Sequence, residues 1–282
     1  MDSIVRNYRF EHLANRLSEP LHLNALAALV GLFGNYRSKV NFDLVRRRHY
    51  AYSVLRAADI AKKQKLRSVT IAEFGVATGA GLLNLCRLAE LTTKATGVQV
   101  RVVGFDTGQG LPPPSDYRDH PELFQAGDYP MDFDALTARL PVNGRMVLGP
   151  LSETVPEFIK SLSAEAPLGF AAIDVDYYSS AMDALRAFSD AEPRKYLPLT
   201  LLYLDDIADE FHNSWCGELL AVDEFNQAER WRKIDKDRFL RGRRVFKNPT
   251  WLDQIYLLHV LDHPLIQAPL QRDRQIYPAL SA

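Results

Sequence analysis

The sequence predicts an α/β protein with a Rossmann-like, doubly wound, mostly parallel sheet. Three observations lead there. From Val69 onward, short apolar runs alternate with stretches of helical periodicity, the pattern of a parallel sheet covered on both faces. The first run closes in a turn of small residues, E-F-G-V-A-T-G-A-G from Glu73 to Gly81, that opens directly into a helical pattern. Several later runs end in aspartate. An antiparallel strand is expected at one edge of the sheet, and a helical cap at the N-terminus.

Residues 1–66 read as that cap. Leu21, Leu23, Leu26, Leu29, Val30 and Phe33 recur at helical spacing, with Gly34-Asn35 as a stop. A second helix begins at Arg46-Arg47-Arg48-His49 and runs through Tyr52, Leu55 and Ile60 to Lys65. The arginine triplet reads either as a solvated face or as a source of one side chain, or else His49, reaching the ligand side. No Gly/Ser/Pro-rich linker precedes Val69, so the cap is expected to pack on the main unit, residues 67–282.

Strand one is Val69–Phe74, followed by a helix over Leu82–Thr96. Gly75, Ala77, Gly79 and Gly81 alternate between them. Residues without bulk let backbone N–H groups approach a ligand, and the helix N-terminus adds partial positive charge. A purely structural turn is the other reading. Strand two, Val100–Phe105, ends at Asp106, and a long aromatic-containing loop from Gly108 to Asp134 follows, the length of a functional loop. A helix near Phe133–Leu140, strand three at Arg145–Leu148 and a helix over Glu153–Ser163 come next. Strand four, Gly169–Ile173, ends in Asp174-Val175-Asp176 and leads to a helix over Ser179–Ala191. Strand five, Leu199–Leu204, ends in Asp205-Asp206 and leads to a helix over Gly217–Trp231. The tail is basic over Arg232–Val245 and β-prone over Asp253–Leu261. It predicts two antiparallel strands joined by a turn near Lys247-Asn248-Pro249.

Composition bounds the partners. The chain has 282 residues, 47% hydrophobic and 24% charged, with formal net charge −1. Bulk charge therefore predicts no nucleic-acid partner. No apolar run is long enough to span a bilayer, so no membrane partner is expected. The first residues lack the basic-then-apolar order of a signal peptide, and the two cysteines, Cys86 and Cys216, read as reduced thiols. A cytoplasmic location is the default expectation. The Leu-rich N-terminal face is expected to pack on its own domain or on a second copy, so a homo-oligomer is possible.

The chemistry gathers at the strand ends. In an open parallel sheet the ligand crevice lies outside the carboxyl ends of the strands. Glu73, Asp106, Asp174, Asp176, Asp205 and Asp206 all sit there. Asp106 lies about one βαβ unit past the glycine turn, where an acid accepts hydrogen bonds from ribose hydroxyls. A helix cap or Asx-turn is its alternative role. Asp174, Asp205 and Asp206 converge like-charged groups, whose repulsion a hard divalent cation relieves; all-oxygen ligands favour Mg²⁺, Mn²⁺ or Ca²⁺ over zinc. Capping of the next helix is the alternative for Asp205 and Asp206.

Four stretches together resemble a known family. E-F-G-V-A-T-G at Glu73–Gly79, G-F-D-T-G-Q-G-L-P at Gly104–Pro112, I-D-V-D-Y-Y-S-S at Ile173–Ser180, and L-D-D-I with W-C-G-E-L-L-A-V-D-E-F at Trp215–Phe225 occur in order. They are similar to the motifs of class I S-adenosylmethionine-dependent methyltransferases of the macrocin-O-methyltransferase-like type, over roughly residues 69–225. The resemblance implies an enzyme that binds S-adenosylmethionine and methylates a hydroxyl of a small molecule, a sugar or a glycosylated natural product, with Mg²⁺. It implies that Glu73, Gly75, Val76, Ala77, Thr78 and Gly79 line the methionine portion, that Asp106 with Thr107 holds the ribose, and that Gly149, Leu151 and Ser152 lie near the adenine. Asp174, Asp205 and Asp206 match the metal ligands, and the metal would fix and acidify the substrate hydroxyl, giving Asp174 a catalytic part. The general base is unassigned: His212, which follows strand five, is a candidate, a solvated loop histidine is its other reading, and Tyr177 and Tyr178 are further candidates. Gly108-Gln109 replaces the family's Phe-Glu and Ser179-Ser180-Ala181 its Glu-Ser-Thr, changes that bear on the acceptor more than on the cofactor. A non-catalytic S-adenosylmethionine- or S-adenosylhomocysteine-binding or partner-binding relative, and a nicotinamide-dependent oxidoreductase, are the alternative readings. The last gives Asp174, Asp205 and Asp206 no work.

Overall fold

A computed structural model describes residues 15–208 and 210–267. The expected N-terminal helix before residue 15 and the tail after residue 267 lie outside the described residues. Seven strands form one sheet in the order β3-β2-β1-β4-β5-β7-β6. They are β1 (Ser68–Phe74), β2 (Gln99–Asp106), β3 (Gly144–Leu148), β4 (Leu168–Ile173), β5 (Tyr196–Leu204), β6 (Arg232–Lys236) and β7 (Ile255–Val260). β1 to β5 pair in parallel, and β7 runs antiparallel between β5 and β6. This is the Rossmann-like, mostly parallel sheet that the alternating pattern predicts, with its antiparallel pairing at one margin. The chain winds outward from β1 to β3, then returns to lay β4 on the other side of β1. That reversal opens a crevice at the carboxyl ends.

Helices cover both faces because alternate strand residues are apolar on both. On one face Val69 and Ile71 of β1, Val100 and Val102 of β2, and Phe170 of β4 pack against helix α3 (Arg48–Lys63) and helix α4 (Ala80–Thr96). Two short helices, α1 (Leu21–Phe33) and α2 (Tyr36–Asn41), precede them. On the other face Phe74, Phe105, Ala171, Ile173 and Leu204 pack against α6 (Leu151–Ser161), α7 (Tyr178–Leu185) and α8 (Gly217–Ala228). Between β2 and β3, α5 (Phe133–Thr137) lies beyond the long loop. α3 is part of the core: Tyr50, Ala51, Val54, Ala57, Ala58 and Ala61 are all fully buried. α1 differs, with only Ala27 buried and Leu21, Leu29, Leu32 and Phe33 exposed.

Three local expectations are corrected. The helix expected through Trp231 stops at Ala228, because Asn226 uses its side chain to bond both N–H and C=O of Ile234 and turns the chain back into β6. The helix expected to Ala191 leaves α geometry at Leu185 and continues as a 3₁₀ turn over Arg186–Phe188. β6 and β7 are joined by residues 237–254 and not by a tight turn; that connection holds α9 (Leu240–Arg243) and is tied to the N-terminal segment. Glu19 accepts the backbone N–H groups of Lys247 and Asn248, and Arg244 bonds the buried Asp43.

Candidate active site

Register brings the strand-end residues together. Phe74 pairs with Phe105 and with Ile173, and Ile173 pairs with Leu204. The next residue of each strand therefore forms one row across the sheet: Asp106, Gly75, Asp174, Asp205. Backbone bonds extend the row past the strands. Gly75 N–H donates to Phe105 C=O (2.9 Å), Asp174 N–H to Phe74 C=O (2.9 Å), Asp205 N–H to Ile173 C=O (3.1 Å) and Gly149 N–H to Asp106 C=O (3.0 Å). Above this rim lies a cavity of 810 Å³, within the size range of small-molecule sites.

The glycine turn is built for close approach. Gly75 has φ of 85°, and a Cβ there would stand 1.7 Å from the Asp174 carbonyl oxygen. A Cβ on Gly81 would stand 2.2 Å from Glu73 Oε1. So the absence of side chains lets β1 meet β4 and lets α4 start directly over Glu73. Glu73 is buried; Tyr50 Oη donates to its Oε1 at 2.8 Å, and Oε2 has no partner among the described residues. Burial pushes its carboxyl up to about 7, against the Tyr50 hydrogen bond and the Arg47 charge that pull it down. Asp106 Oδ2 accepts the N–H groups of Val76 (2.9 Å) and Ala77 (2.8 Å), and Oδ1 accepts that of Gly108 (2.7 Å). It fastens the turn to β2 and makes the Asx-turn that is its alternative role, while still lining the cavity.

The carboxylate half is tighter. One oxygen from each of Asp174, Asp205 and Asp206 lies within 4.8 Å of the others. Burial, then the neighbouring Asp205 and Asp206, pushes the Asp174 carboxyl well above its usual range. Tyr203 donates its hydroxyl to Asp205 Oδ1, and Asp206 Oδ2 accepts the Asp176 N–H at 3.1 Å. Glu218 of α8 stands behind them, buried, accepting the Asp206 N–H at 3.3 Å, with Oε1 unpartnered among the described residues. Its carboxyl too is pushed well up, first by burial and then by the aspartates. Such a set of hard oxygens suits a hard divalent cation, whose charge removes the repulsion.

Of the sequence-expected residues, Glu73, Gly75, Val76, Ala77, Thr78, Asp106, Thr107, Gly149, Leu151, Asp174, Asp205 and Asp206 line the cavity. Gly79, Ser152 and His212 are not among its lining residues. Gly79 instead faces Leu136, whose Cδ1 stands 2.3 Å from where a Cβ would be. His212 packs edge-on against His120 with ring centroids 5.5 Å apart. Reading for strand ends passed over Tyr129 and Asp128 of the long loop and Glu218. It left open which of Arg46, Arg47, Arg48 and His49 reaches inward. Arg47 lines the cavity, whereas His49 is buried and stacked on Tyr203 at 4.2 Å. For Arg47 and Tyr129 the signal is backbone strain: among the described residues, seven non-glycine residues have positive φ, and four of them, Arg47, Ala77, Tyr129 and Asp176, line this cavity. Strained backbone clusters at functional sites.

The long loop is pinned over the rim. Buried Asp119 accepts the N–H of Ser115 (2.8 Å), and the N–H (2.9 Å) and hydroxyl (3.1 Å) of Ser179 at the start of α7. Leu111 and Gly127–Asp128 pair backbone to backbone, which sets Asp128 and Tyr129 into the cavity wall.

Fold and site define a Rossmann-like α/β protein with a two-part cavity at the carboxyl ends of its sheet, one part a glycine turn with Asp106, the other a cluster of carboxylates. Solved structures with a similar fold include the calicheamicin methyltransferase CalS11, 24% identical over 60% of this chain and 69% of that one, TM-score 0.45. The O-methyltransferase NovP is 18% identical over 64% and 72%, TM-score 0.44. The methyltransferase MycE of the mycinamycin biosynthetic pathway, in complex with Mg and SAH, is 11% identical over 72% and 48%, TM-score 0.35. No protein-family model and no curated relative matches the chain.

Proposed function

We propose that this protein is an S-adenosylmethionine-dependent O-methyltransferase, assisted by Mg²⁺, that acts on a hydroxyl of a small sugar-like or glycosylated molecule. The row Asp106–Gly75–Asp174–Asp205 carries the reading, since it brings the glycine turn with Asp106 beside the carboxylate cluster in one cavity, as a cofactor site next to a cation site would need. Residues 75–78 and Asp106 with Thr107 would hold the methionine and ribose portions, and Gly149 and Leu151 would border the adenine. Glu73, with a buried oxygen that lacks a partner among the described residues, suits an ammonium group. Asp174, Asp205 and Asp206 would hold the ion, braced by Tyr203 and Glu218. A divalent ion supplies Lewis acidity that lowers the pKa of an alcohol.

The chain's own part is positioning. The rim fixes the acceptor end of the cavity beside the glycine turn, and the pinned loop screens it from water. Because His212 does not line the cavity, this reading gives proton removal to the carboxylate half, Asp174 included, and not to His212.

Calorimetry with S-adenosylmethionine, with and without Mg²⁺, tests the reading. Micromolar binding is expected, an order-of-magnitude figure for such a site. Asp205→Asn should abolish metal-dependent turnover while S-adenosylmethionine affinity stays within a few-fold. NAD(H) binding in its place would overturn the reading. Equal loss of cofactor affinity and turnover in the variant would overturn the division of the cavity into two halves.

A further inference from the structure

We infer that the acceptor is a hydroxylated amine, such as an amino sugar, whose ammonium group is held by Asp176 and Asp128 beside Tyr129. This rests on the methyltransferase reading and narrows its substrate class.

Eight carboxylates line the cavity and Arg47 is the single cationic residue among its lining residues. Most of the acids already have their compensation. Asp106 accepts three backbone N–H groups, and Asp183 pairs with Arg186 at 2.9 Å. Glu73 and Asp205 each accept a tyrosine hydroxyl. Asp174, Asp205 and Asp206 form the three-oxygen set that suits a metal.

Asp176 is different. It is 8% exposed, it lines the cavity, and its carboxylate accepts no hydrogen bond and forms no ion pair among the described residues. The backbone holds it at φ 60°, a conformation unfavourable for a non-glycine residue. Asp128, in the same wall, spends one oxygen on the Gln125 N–H (2.9 Å). Two acids in one cavity without a cation repel each other, and a nearly buried carboxylate without a partner is costly.

The walls say what kind of cation would fit. Asp176 and Asp128 do not belong to any three-ligand set of metal-binding geometry among the described residues. Leu111 N–H donates to the Asp128 C=O, and Leu111, Pro112, Pro113 and Tyr129 line the same cavity, apolar and aromatic groups suited to a carbon skeleton bearing an amine. A phosphate-bearing acceptor would face these carboxylates with Arg47 as the single cationic side chain among the lining residues.

The test uses the full chain saturated with S-adenosylhomocysteine and Mg²⁺. Three probes are titrated below neutral pH: methyl glucosaminide, methyl glucoside and uridine diphosphate glucose. The amine is expected to bind roughly tenfold or more tightly than the neutral sugar, the gain of a charge-assisted bond, and more tightly than the nucleotide sugar. Asp176→Asn and Asp128→Asn, both close to isosteric, should each erase that preference; retained S-adenosylhomocysteine affinity shows that they fold. Equal or weaker binding of the amine, or no binding of it, overturns the inference. So does a second Mn²⁺ equivalent that both variants lose. Failure of S-adenosylhomocysteine to bind the wild-type chain sinks the methyltransferase reading itself, and is read separately.

Discussion

Glu73 shows how one side chain couples fold and site. Its carboxyl is buried between α3 and the start of α4, and burial raises its pKa from the ordinary 4.5 to about 7. The neutral form is thus the one that the fold favours. Its stabilising contribution is fully present below about pH 4.5 and is lost as pH rises through about 7. Glu73→Gln keeps an acceptor for Tyr50 and never ionises. Urea titrations should therefore show wild type losing stability relative to the variant across that window, by on the order of 3 kcal/mol at most. Parallel pH profiles would show that folding leaves the Glu73 pKa unshifted. The acid at the end of the first strand was legible in the sequence. Its partner was not, because Tyr50 lies 23 residues away in a helix that its periodicity assigns to a cap. Arg47 was legible only as one of four candidates, since a charge run does not say which member the backbone turns inward; its positive φ makes that choice.

At the scale of elements, the strand–turn–helix unit was legible because small residues at alternate positions have few other uses between a buried strand and a helix. What they make room for was hidden. Gly75 clears the Asp174 carbonyl of β4, and Gly81 clears the Glu73 side chain. This difference sets the ranking of two variants. Gly75→Ala meets backbone at 1.7 Å and also takes an alanine to φ 85°, about 1–3 kcal/mol for the conformation alone. Gly81→Ala meets only a side chain, though a buried one. Thermal melts should show both destabilised, with Gly75→Ala the worse and also losing divalent-ion binding, because it displaces the backbone that carries Asp174. Equal melting points, or intact ion binding in Gly75→Ala, would contradict this geometry. Two of the elements misjudged from sequence, the end of α8 and the link from β6 to β7, share one cause. Both are set by side chains reaching back to distant backbone, Asn226 to Ile234 and Glu19 to Lys247 and Asn248, and periodicity carries no trace of such bonds.

Across the whole molecule, strand register does the assembling. Four neighbouring strands end level, so their next residues meet whatever the intervening loops do, and the alternation of runs and terminal acids made that visible in the sequence. The same levelling crowds charge. Asp174 and Glu218 are held well above the usual carboxylate range, chiefly by burial. Both favour the protonated form in the fold, so without a cation their contribution to stability is present in acid and lost as pH rises. A divalent ion reverses the balance by binding the ionised set. At 100 times its dissociation constant it would add about 2.7 kcal/mol, several degrees in melting temperature for a chain of this size. Melting curves with Mg²⁺ against chelator should therefore separate widely at about pH 8 and converge towards about pH 5.5, where protons compete for the same oxygens. Asp205→Asn should collapse the separation at both. A shift of equal size at the two pH values, or one that survives in Asp205→Asn, would mean that the ion binds elsewhere and that the convergence of strand ends serves another end.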